Sequence, residues 1–459
     1  MKAIIAATIL GIVMMFAGLQ MKNKSSVVTL AIVLAFLLLG VNIWDLVTTP
    51  ATAPVGYFNN MLRIDRYALW FSTLMTGVTV LYTLLVGKEI QKVGLHVAEY
   101  FALIFFILCG VYILSCYNNM LMLFLGIEIL SIPQYILAGS DKKNLKSSEA
   151  SLKYFLMGAF STGILLMGIT LLYGATGSFN IVAYSFLQSD ALNPLALGGI
   201  IFVMIALGFK VSAAPMHMWT PDVYDGSPTP FTAFMATVVK ASAFFAFIRL
   251  FQISFGSISS QWTIVLSVIT AATLLIGNLT AVFQQSVKRM LSYSSIAQAG
   301  FMLFAVLAVN AVAWQGIIIY AVAYSIATIG IFTVLMKLKD YTYDGFNGLA
   351  KKEPLLAFVT TIFLFSLAGI PLTGGFMAKY YVIQAVMLQG QLLWLVIFGL
   401  LMAAISVYYY FRVIIAMYFK EGNADLHAPV TQGEKVLLVI TCGLVILIGI
   451  FPQLILINI

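Results

Sequence analysis

The chain has 459 residues, 62% of them apolar and only 9% charged, with a mean hydropathy of +1.03. Soluble domains are typically ~45–50% apolar and ~25% charged, so an ordinary cytosolic enzyme is excluded. The 24 Lys and Arg against 16 Asp and Glu leave a charge of +8, which the topology below explains without invoking nucleic acid.

A membrane helix takes roughly 20 mostly apolar residues. Hydropathy places such runs at Ala3–Leu19, Val27–Val47, Tyr67–Val86, Leu95–Ser115, Met120–Ala138, Tyr154–Tyr173 and Pro194–Trp219. It continues with Pro230–Phe251, Trp262–Phe283, Met290–Val309, Trp314–Met336, Pro354–Met387, Leu392–Met417 and Val436–Ile457, fourteen in all. No Ala-x-Ala cleavage site closes the first run, so it is expected to remain as a helix. The expected architecture is an all-α polytopic membrane protein, one membrane domain over 1–459, with no soluble appendage.

Orientation follows from the positive charges in alternate connections. The odd connections hold sixteen: Lys22, Lys24, Lys88, Lys92, Lys142, Lys143, Lys146, Lys153, Lys288, Arg289, Lys337, Lys339, Lys351, Lys352, Lys420 and Lys435. The even connections and the termini hold four: Lys2, Arg63, Arg66 and Arg249. Odd loops are therefore expected in the cytoplasm and both ends outside.

Cys109, Cys116 and Cys442 lie in apolar runs without metal-ligand spacing and read as core filler. His96, His217 and His427 offer no pair placed to hold a haem. With no GxGxxG motif, no Walker lysine and no cysteine cluster, no redox cofactor is expected on this chain.

Four ionisable residues stand inside apolar sequence: Glu128, Lys210, Lys240 and Lys379. Each would cost ~2.5–3.5 kcal/mol if exposed to lipid, so the four together imply burial against one another or against water. They are either structural ion pairs and snorkelling side chains, or an ion path; Glu128 and Lys379 lie too deep in their spans for snorkelling. Glu99, one turn into its helix, is a weaker candidate for ion transfer. Pro133, Pro215 and the Gly369, Pro371, Gly374, Gly375 group interrupt the fifth, seventh and twelfth spans near these charges, freeing the carbonyls of Ile129, Val211 and Leu367. A freed carbonyl in hydrocarbon must meet water or a polar group, and paired broken helices point to transporter repeats. Lys210 and Lys379 are 379 − 210 = 169 apart, and 128 + 169 = 297 falls beside Gln298. Ser292, Ser294, Ser295 and Gln298, with Tyr320, Tyr324, Ser325 and Thr328 on the next span, read either as packing hydroxyls or as a water wire. Burial disfavours the charged form of a lysine and a nearby carboxylate favours it, so a changing Glu128–Lys210 separation would switch Lys210 between holding and releasing a proton.

The stretch GFKVSAAPMHMWTPDVYDGSPTPFTAFMATVVK (Gly208–Lys240) resembles the signature of the antiporter-like subunits of respiratory complex I, the proton-translocating NADH–quinone oxidoreductase. KRMLSYSSIAQAGF (Lys288–Phe301) and AGIPLTGGFMAKYYV (Ala368–Val382) are similar to the same family further along, and the WTPDVYDGSPTP form resembles its N type, the homologue of mitochondrial subunit 2. The resemblance implies proton transfer by Glu128, Lys210, Lys240 and Lys379. It also implies two inverted five-helix repeats, helices 4–8 (95–252) and 9–13 (253–419), with helices 7 and 12 broken. The first three helices (1–94) precede the repeats and a last helix (420–459) follows. Implied partners are the M-type and L-type subunits and small membrane subunits of the arm, with lipid around them. Flavin, iron–sulfur clusters and quinone would sit on partner chains, and the location would be the inner (plasma) membrane. Gln298 stands where the family usually has histidine, and glutamine cannot carry a proton near neutral pH. It is nonetheless a possible relay position, as is His217, which follows the family pattern beside the helix break. A subunit of a multi-subunit cation/proton antiporter is the alternative assembly, and a structural spacer is a third reading.

Overall fold

The computed structural model describes residues 1–49, 54–187, 193–427 and 429–456. Its long helices are α1 (Lys2–Gln20), α2 (Lys24–Thr48), α3 (Arg66–Val93), α4 (Val97–Cys116), α5 (Met120–Ala138), α6 (Leu145–Thr176), α7 (Pro194–Lys210) and α8 (Trp219–Gly226). There follow α9 (Thr229–Ser254), α10 (Ser259–Val282), α11 (Val287–Leu307), α12 (Ala311–Leu335), α13 (Pro354–Ala368), α14 (Gly374–Met387), α15 (Leu393–Phe419) and α16 (Gln432–Ile450). A hairpin of β1 (Val55–Tyr57) and β2 (Leu62–Ile64) joins α2 to α3.

Among the described residues twelve helices are long and apolar enough to cross a bilayer. The shorter apolar α7 and α13 begin the two remaining spans, so the fourteen expected crossings are present. The last expected span closed at Ile457, which lies outside the described residues; α16 ends at Ile450. Polar caps set many of the boundaries: Asp65 accepts from Ala68 N at the start of α3, Asn193 caps α7 with Pro194 as first helical residue, and Thr431 and Glu434 form a capping box on α16.

Two spans are interrupted as expected. The seventh stops at Lys210 and resumes at Trp219 as α8; the twelfth stops at Ala368, passes Gly369 (φ +87°) and Leu372 (φ +70°), and resumes as α14. The fifth corrects the expectation: α5 runs unbroken from Met120 to Ala138 with Pro133 inside it. A proline removes only one ladder bond, and the packed neighbours α4 and α6 hold the turns on both sides. One irregularity had no signal in the sequence: α9 contains a π-helical turn, Met235–Val239, directly before Lys240.

Lipid tails are as apolar as leucine, so these helices associate by close packing at small residues. On α4 and α5, a Cβ at Gly110 would meet Leu130 N at 2.8 Å; on α10 and α11, one at Gly277 would meet Ala297 N at 2.5 Å. The centre of the bundle is α9, α11 and α12, whose apolar windows are 94–100% buried, against 33–44% for α1, α2, α6, α10, α15 and α16. The centre thus carries Lys240, Ser295, Gln298 and Tyr320 away from lipid.

Arg249 and Lys337, both counted above as loop charges, are in fact buried. Arg249, 1% exposed, donates to Asp65 Oδ2 (2.6 Å), Tyr117 O (3.0 Å) and Arg63 O (3.2 Å), tying α9 to the hairpin and α3. Lys337 meets Glu89 and Glu434 at 2.8 Å each, and Glu89 also meets Lys92 at 2.7 Å. Burial acts to discharge Lys337, but the two carboxylates outweigh it and hold its ammonium above the usual lysine range.

Candidate functional site

Glu128 sits half-buried on α5, where its Oε1 accepts from Thr162 Oγ1 of α6 at 2.7 Å. Ser131 and Tyr135 follow three and seven residues later, one and two turns on along the same face of α5. Both accept from Lys210 Nζ, at 2.9 and 3.3 Å, because α7 ends at Lys210 and turns its side chain onto α5. Glu128 and Lys210 therefore share a helix face, yet they are not ion-paired.

Aromatic rings fill the interval from Lys210 to Lys240. Tyr135 packs edge-on to Tyr154 (4.7 Å), Tyr154 stacks on Trp219 (4.6 Å), and Trp219 meets Tyr224 (5.9 Å), whose ring lies 5.7 Å from Lys240 Nζ. The break in the seventh span is what brings Trp219 into this column, where its Nε1 donates to Phe209 O at 3.1 Å.

Lys240, 2% exposed, donates to Ser295 O (3.1 Å) and to Ser295 Oγ. One turn further along α11, Gln298 Nε2 donates to Leu367 O (2.8 Å) and Tyr410 OH (3.2 Å), while its Oε1 accepts from Tyr320 OH. Lys379, 7% exposed, donates to the same Leu367 O (3.1 Å) and to Ala368 O (2.8 Å), with its Nζ 4.7 Å from the Phe301 ring. The carbonyl that Pro371 was expected to free is thus the atom that joins Gln298 to Lys379. Gly369 makes the junction possible, since a Cβ there would meet Lys379 Cδ at 2.9 Å. A cavity of about 10 Å³, room for one water, lies among Gln298, Tyr320, Tyr324, Ser366, Leu367, Gly375 and Ala378.

Among the described residues, no Asp or Glu oxygen lies within 4.0 Å of the Nζ of Lys210, Lys240 or Lys379. Their partners are hydroxyl and carbonyl oxygens. Arg249 and Lys337, as buried as Lys240 and Lys379 and more so than the part-buried Lys210, are both paired with carboxylates. The alternative that the four are structural ion pairs among themselves does not match this geometry.

His217 lies in the segment between α7 and α8 and is buried, with Nδ1 unpartnered and no hydrogen bond to any of the four. Glu99 is exposed and meets only His96, at 3.3 Å, away from the line of buried groups. Ser131 and Tyr135 were readable as same-face neighbours of Glu128, whereas Thr162, Tyr410 and the ring column depend on which helices pack together. On the side of the odd connections, a cleft of about 900 Å³ is bordered by Glu89, Lys92, Asp225, Lys288, Tyr341 and His427. Lys288 was counted as a loop charge but is 4% exposed, its Nζ donating to Asp225 O (2.9 Å) and Ser227 O (2.7 Å). No group of three or more His, Cys, Asp and Glu able to hold a metal occurs among the described residues.

These features define a class: a polytopic helical membrane protein with interrupted spans and ionisable side chains inside the bundle. A family profile described as "NADH:quinone oxidoreductase/Mrp antiporter, TM" matches residues 117–406, and the chain belongs to that family. It is 41% identical over 463 aligned residues to NADH-quinone oxidoreductase subunit N of Cytophaga hutchinsonii, covering 99% of both chains. It is 38% identical to the protein of the same name from Trichlorobacter lovleyi, covering 88% of this chain and 84% of that one. Among solved structures, a chain of respiratory complex I from Thermus thermophilus is 28% identical with a TM-score of 0.85, covering 99% of this chain and 98% of that one. A chain of the Mrp complex from Dietzia sp. DQ12-45-1b, 18% identical with a TM-score of 0.87 over 100% of this chain and 95% of that one, shares the fold.

Proposed function

We propose that this chain is a proton-translocating membrane subunit of an NADH–quinone oxidoreductase, and that Glu128, Lys210, Lys240 and Lys379 carry the proton. The observation that carries this reading is the bonding of the three lysines. A buried lysine fixed to a carboxylate keeps its proton; one held by neutral oxygens can lose its charge without stranding an anion. Glu128 on the neighbouring turn of α5 supplies the counter-charge when Lys210 moves toward it. From Lys240 the route follows Ser295, Gln298 and the Leu367 carbonyl to Lys379. Gln298 holds this route together without titrating, and water in the cavity beside it carries the proton past the amide.

The stacked rings between Lys210 and Lys240 make that interval the controlled step, since a proton crosses it only when water enters. Buried polar atoms without a protein partner at Gln134, Ser212, His217, Thr220 and Ser227 offer such water hydrogen-bonding positions around the interrupted seventh span. His217 in this reading supports the break and its hydration.

The two halves, 95–252 and 253–419, act as inverted repeats, since a unit with an odd number of crossings repeats upside down. The close crossings of α4 with α5 and of α10 with α11, at corresponding places in the two halves, support this. Residues 1–94 and 420–459 flank them. We place the odd connections in the cytoplasm and both ends outside, in a bacterial inner membrane, on the excess of Lys and Arg in the odd connections, which stands with the buried Lys288, Lys337 and Arg249 set aside. M-type, L-type and small membrane subunits are the partners, and flavin, iron–sulfur clusters and quinone are held by other chains. Quinone reduction there supplies the energy.

Affinity purification of the tagged chain in mild detergent, with mass spectrometry of what accompanies it, tests this assignment. Flavin and iron–sulfur subunits should co-purify; recovery of small antiporter subunits alone would transfer the same residues to a gradient-driven exchanger. Within the chain, Gln298→Leu removes the acceptor of Tyr320 and the link to Leu367 O, each a buried hydrogen bond. Quinone reduction by the assembled complex should drop about fivefold or more, whereas Gln298→His, which restores a donor and an acceptor, should retain most of the rate. Equal rates in both variants would remove position 298 from the route.

A further inference from the structure

The Glu128 carboxylate is held by a hydroxyl from another helix rather than by Lys210. Thr162 Oγ1 lies 2.7 Å from Glu128 Oε1 and 3.1 Å from the carbonyl of Gly158, one turn earlier on α6. A hydroxyl has one hydrogen to give and lone pairs to accept with. Toward an ionised Glu128, Thr162 donates; toward a protonated Glu128, it can turn its hydrogen to Gly158 O and accept instead. Both protonation states of Glu128 thus have a partner at this position, and the hydroxyl has another acceptor when the carboxyl group leaves.

The same helix also supports the other side of the pair. Gly158 leaves the space that the Tyr135 hydroxyl occupies, since a Cβ at position 158 would lie 2.1 Å from Tyr135 OH. Tyr135 OH in turn accepts from Lys210, 3.3 Å away, beside Ser131 Oγ at 2.9 Å. One turn of α6, from Gly158 to Thr162, therefore holds the carboxyl group directly and leaves room for the Tyr135 hydroxyl of α5 that receives the ammonium.

We propose that Thr162 is a positioning residue that stabilises the separated arrangement of Glu128 and Lys210, so that the pair opens and closes during turnover instead of locking shut. This rests on the proton-transfer role of Glu128 and Lys210. Without the hydroxyl, the half-buried carboxylate loses its partner, and Lys210, whose Nζ lies along the same face of α5, becomes the charged alternative. A hydrogen bond to a charged group is worth roughly a factor of ten or more in such an equilibrium, so the closed pair would dominate.

The test is Thr162→Val, which keeps the shape and removes the hydroxyl, against Thr162→Ser, which keeps the hydroxyl, each introduced into the whole complex in native membranes. Quinone reduction and the pH gradient are measured at equal complex content. With Thr162→Val both should fall about tenfold, Thr162→Ser should restore most of the rate, and adding Thr162→Val to Glu128→Ala should cause no further loss. Wild-type rates in Thr162→Val beside an impaired Glu128→Ala would overturn the positioning role and leave the role of Glu128 standing. A loss that serine does not repair, or one that adds in full to that of Glu128→Ala, would make Thr162 a packing residue. Wild-type rates in Glu128→Ala would instead sink the reading on which this one rests. Thr162→Ala serves if the valine variant does not assemble, and failure of both to assemble would also assign Thr162 to packing.

Discussion

A complex carrying Lys240→Met should assemble at normal levels and yet lose quinone reduction on the order of tenfold or more, with its pH gradient. Methionine fills nearly the same volume as the lysine stem, and Lys240 leaves behind only Ser295 O and Oγ, both neutral. No buried anion is stranded, so the fold pays little for the change. What disappears is the ammonium that bonds Ser295, at the junction between the Tyr224 end of the ring column and the Gln298 segment. Native-gel quantification of the complex beside its quinone-reductase rate checks both halves of this expectation. Loss of assembly in proportion to loss of rate would turn Lys240 into a structural residue.

Arg249→Ala should do the opposite, depleting the assembled complex. Arg249 is as buried as Lys240, but its three bonds include the carboxylate of Asp65 at 2.6 Å. Removing one partner of a fully buried ion pair costs about 3–5 kcal/mol because the other charge stays behind, and less here because the Asp65 carboxylate is partly exposed. Here it also frees Tyr117 O and Arg63 O, so the hairpin, α3 and α9 lose their common tie. The same native gels should show little complex, and whatever remains should work at a normal rate per molecule. Full assembly with a low specific rate would place Arg249 on the ion path and remove the distinction between paired and unpaired cations. Lys337, held by Glu89 and Glu434, belongs with Arg249.

That distinction marks where sequence reading stopped. Fourteen crossings were legible because each must supply its own apolar length, and the fifth span was read with the bounds it has, Met120–Ala138. The break at Gly369 was legible too, as was the need of Leu367 O for a polar partner, because backbone hydrogen bonding in hydrocarbon follows local rules. Pro133 obeys the same rules and yet interrupts nothing, since packing on both sides of α5 decides the outcome. Hydropathy sees only neighbours along the chain, so Lys288 and Lys337, flanking spans, passed for loop residues, and Arg249 for an external one. Their burial comes from contacts with distant elements: Lys337 with α3 and α16, Arg249 with the β hairpin. Glu128 was marked by its cost in lipid, but Thr162, 34 residues away, could be found only by packing α6 on α5.

The most direct test of a proton path through this chain is to record quinone reduction and proton uptake together in inverted membrane vesicles carrying Lys379→Ala. Among the described residues Lys379 hydrogen-bonds only the carbonyls of Leu367 and Ala368, and Gln298 still holds Leu367 O in its absence, so the complex should assemble. Both rates should collapse together, since the route then has no ionisable group beyond Gln298. Wild-type rates of both quinone reduction and proton uptake at equal complex content would contradict the path outright.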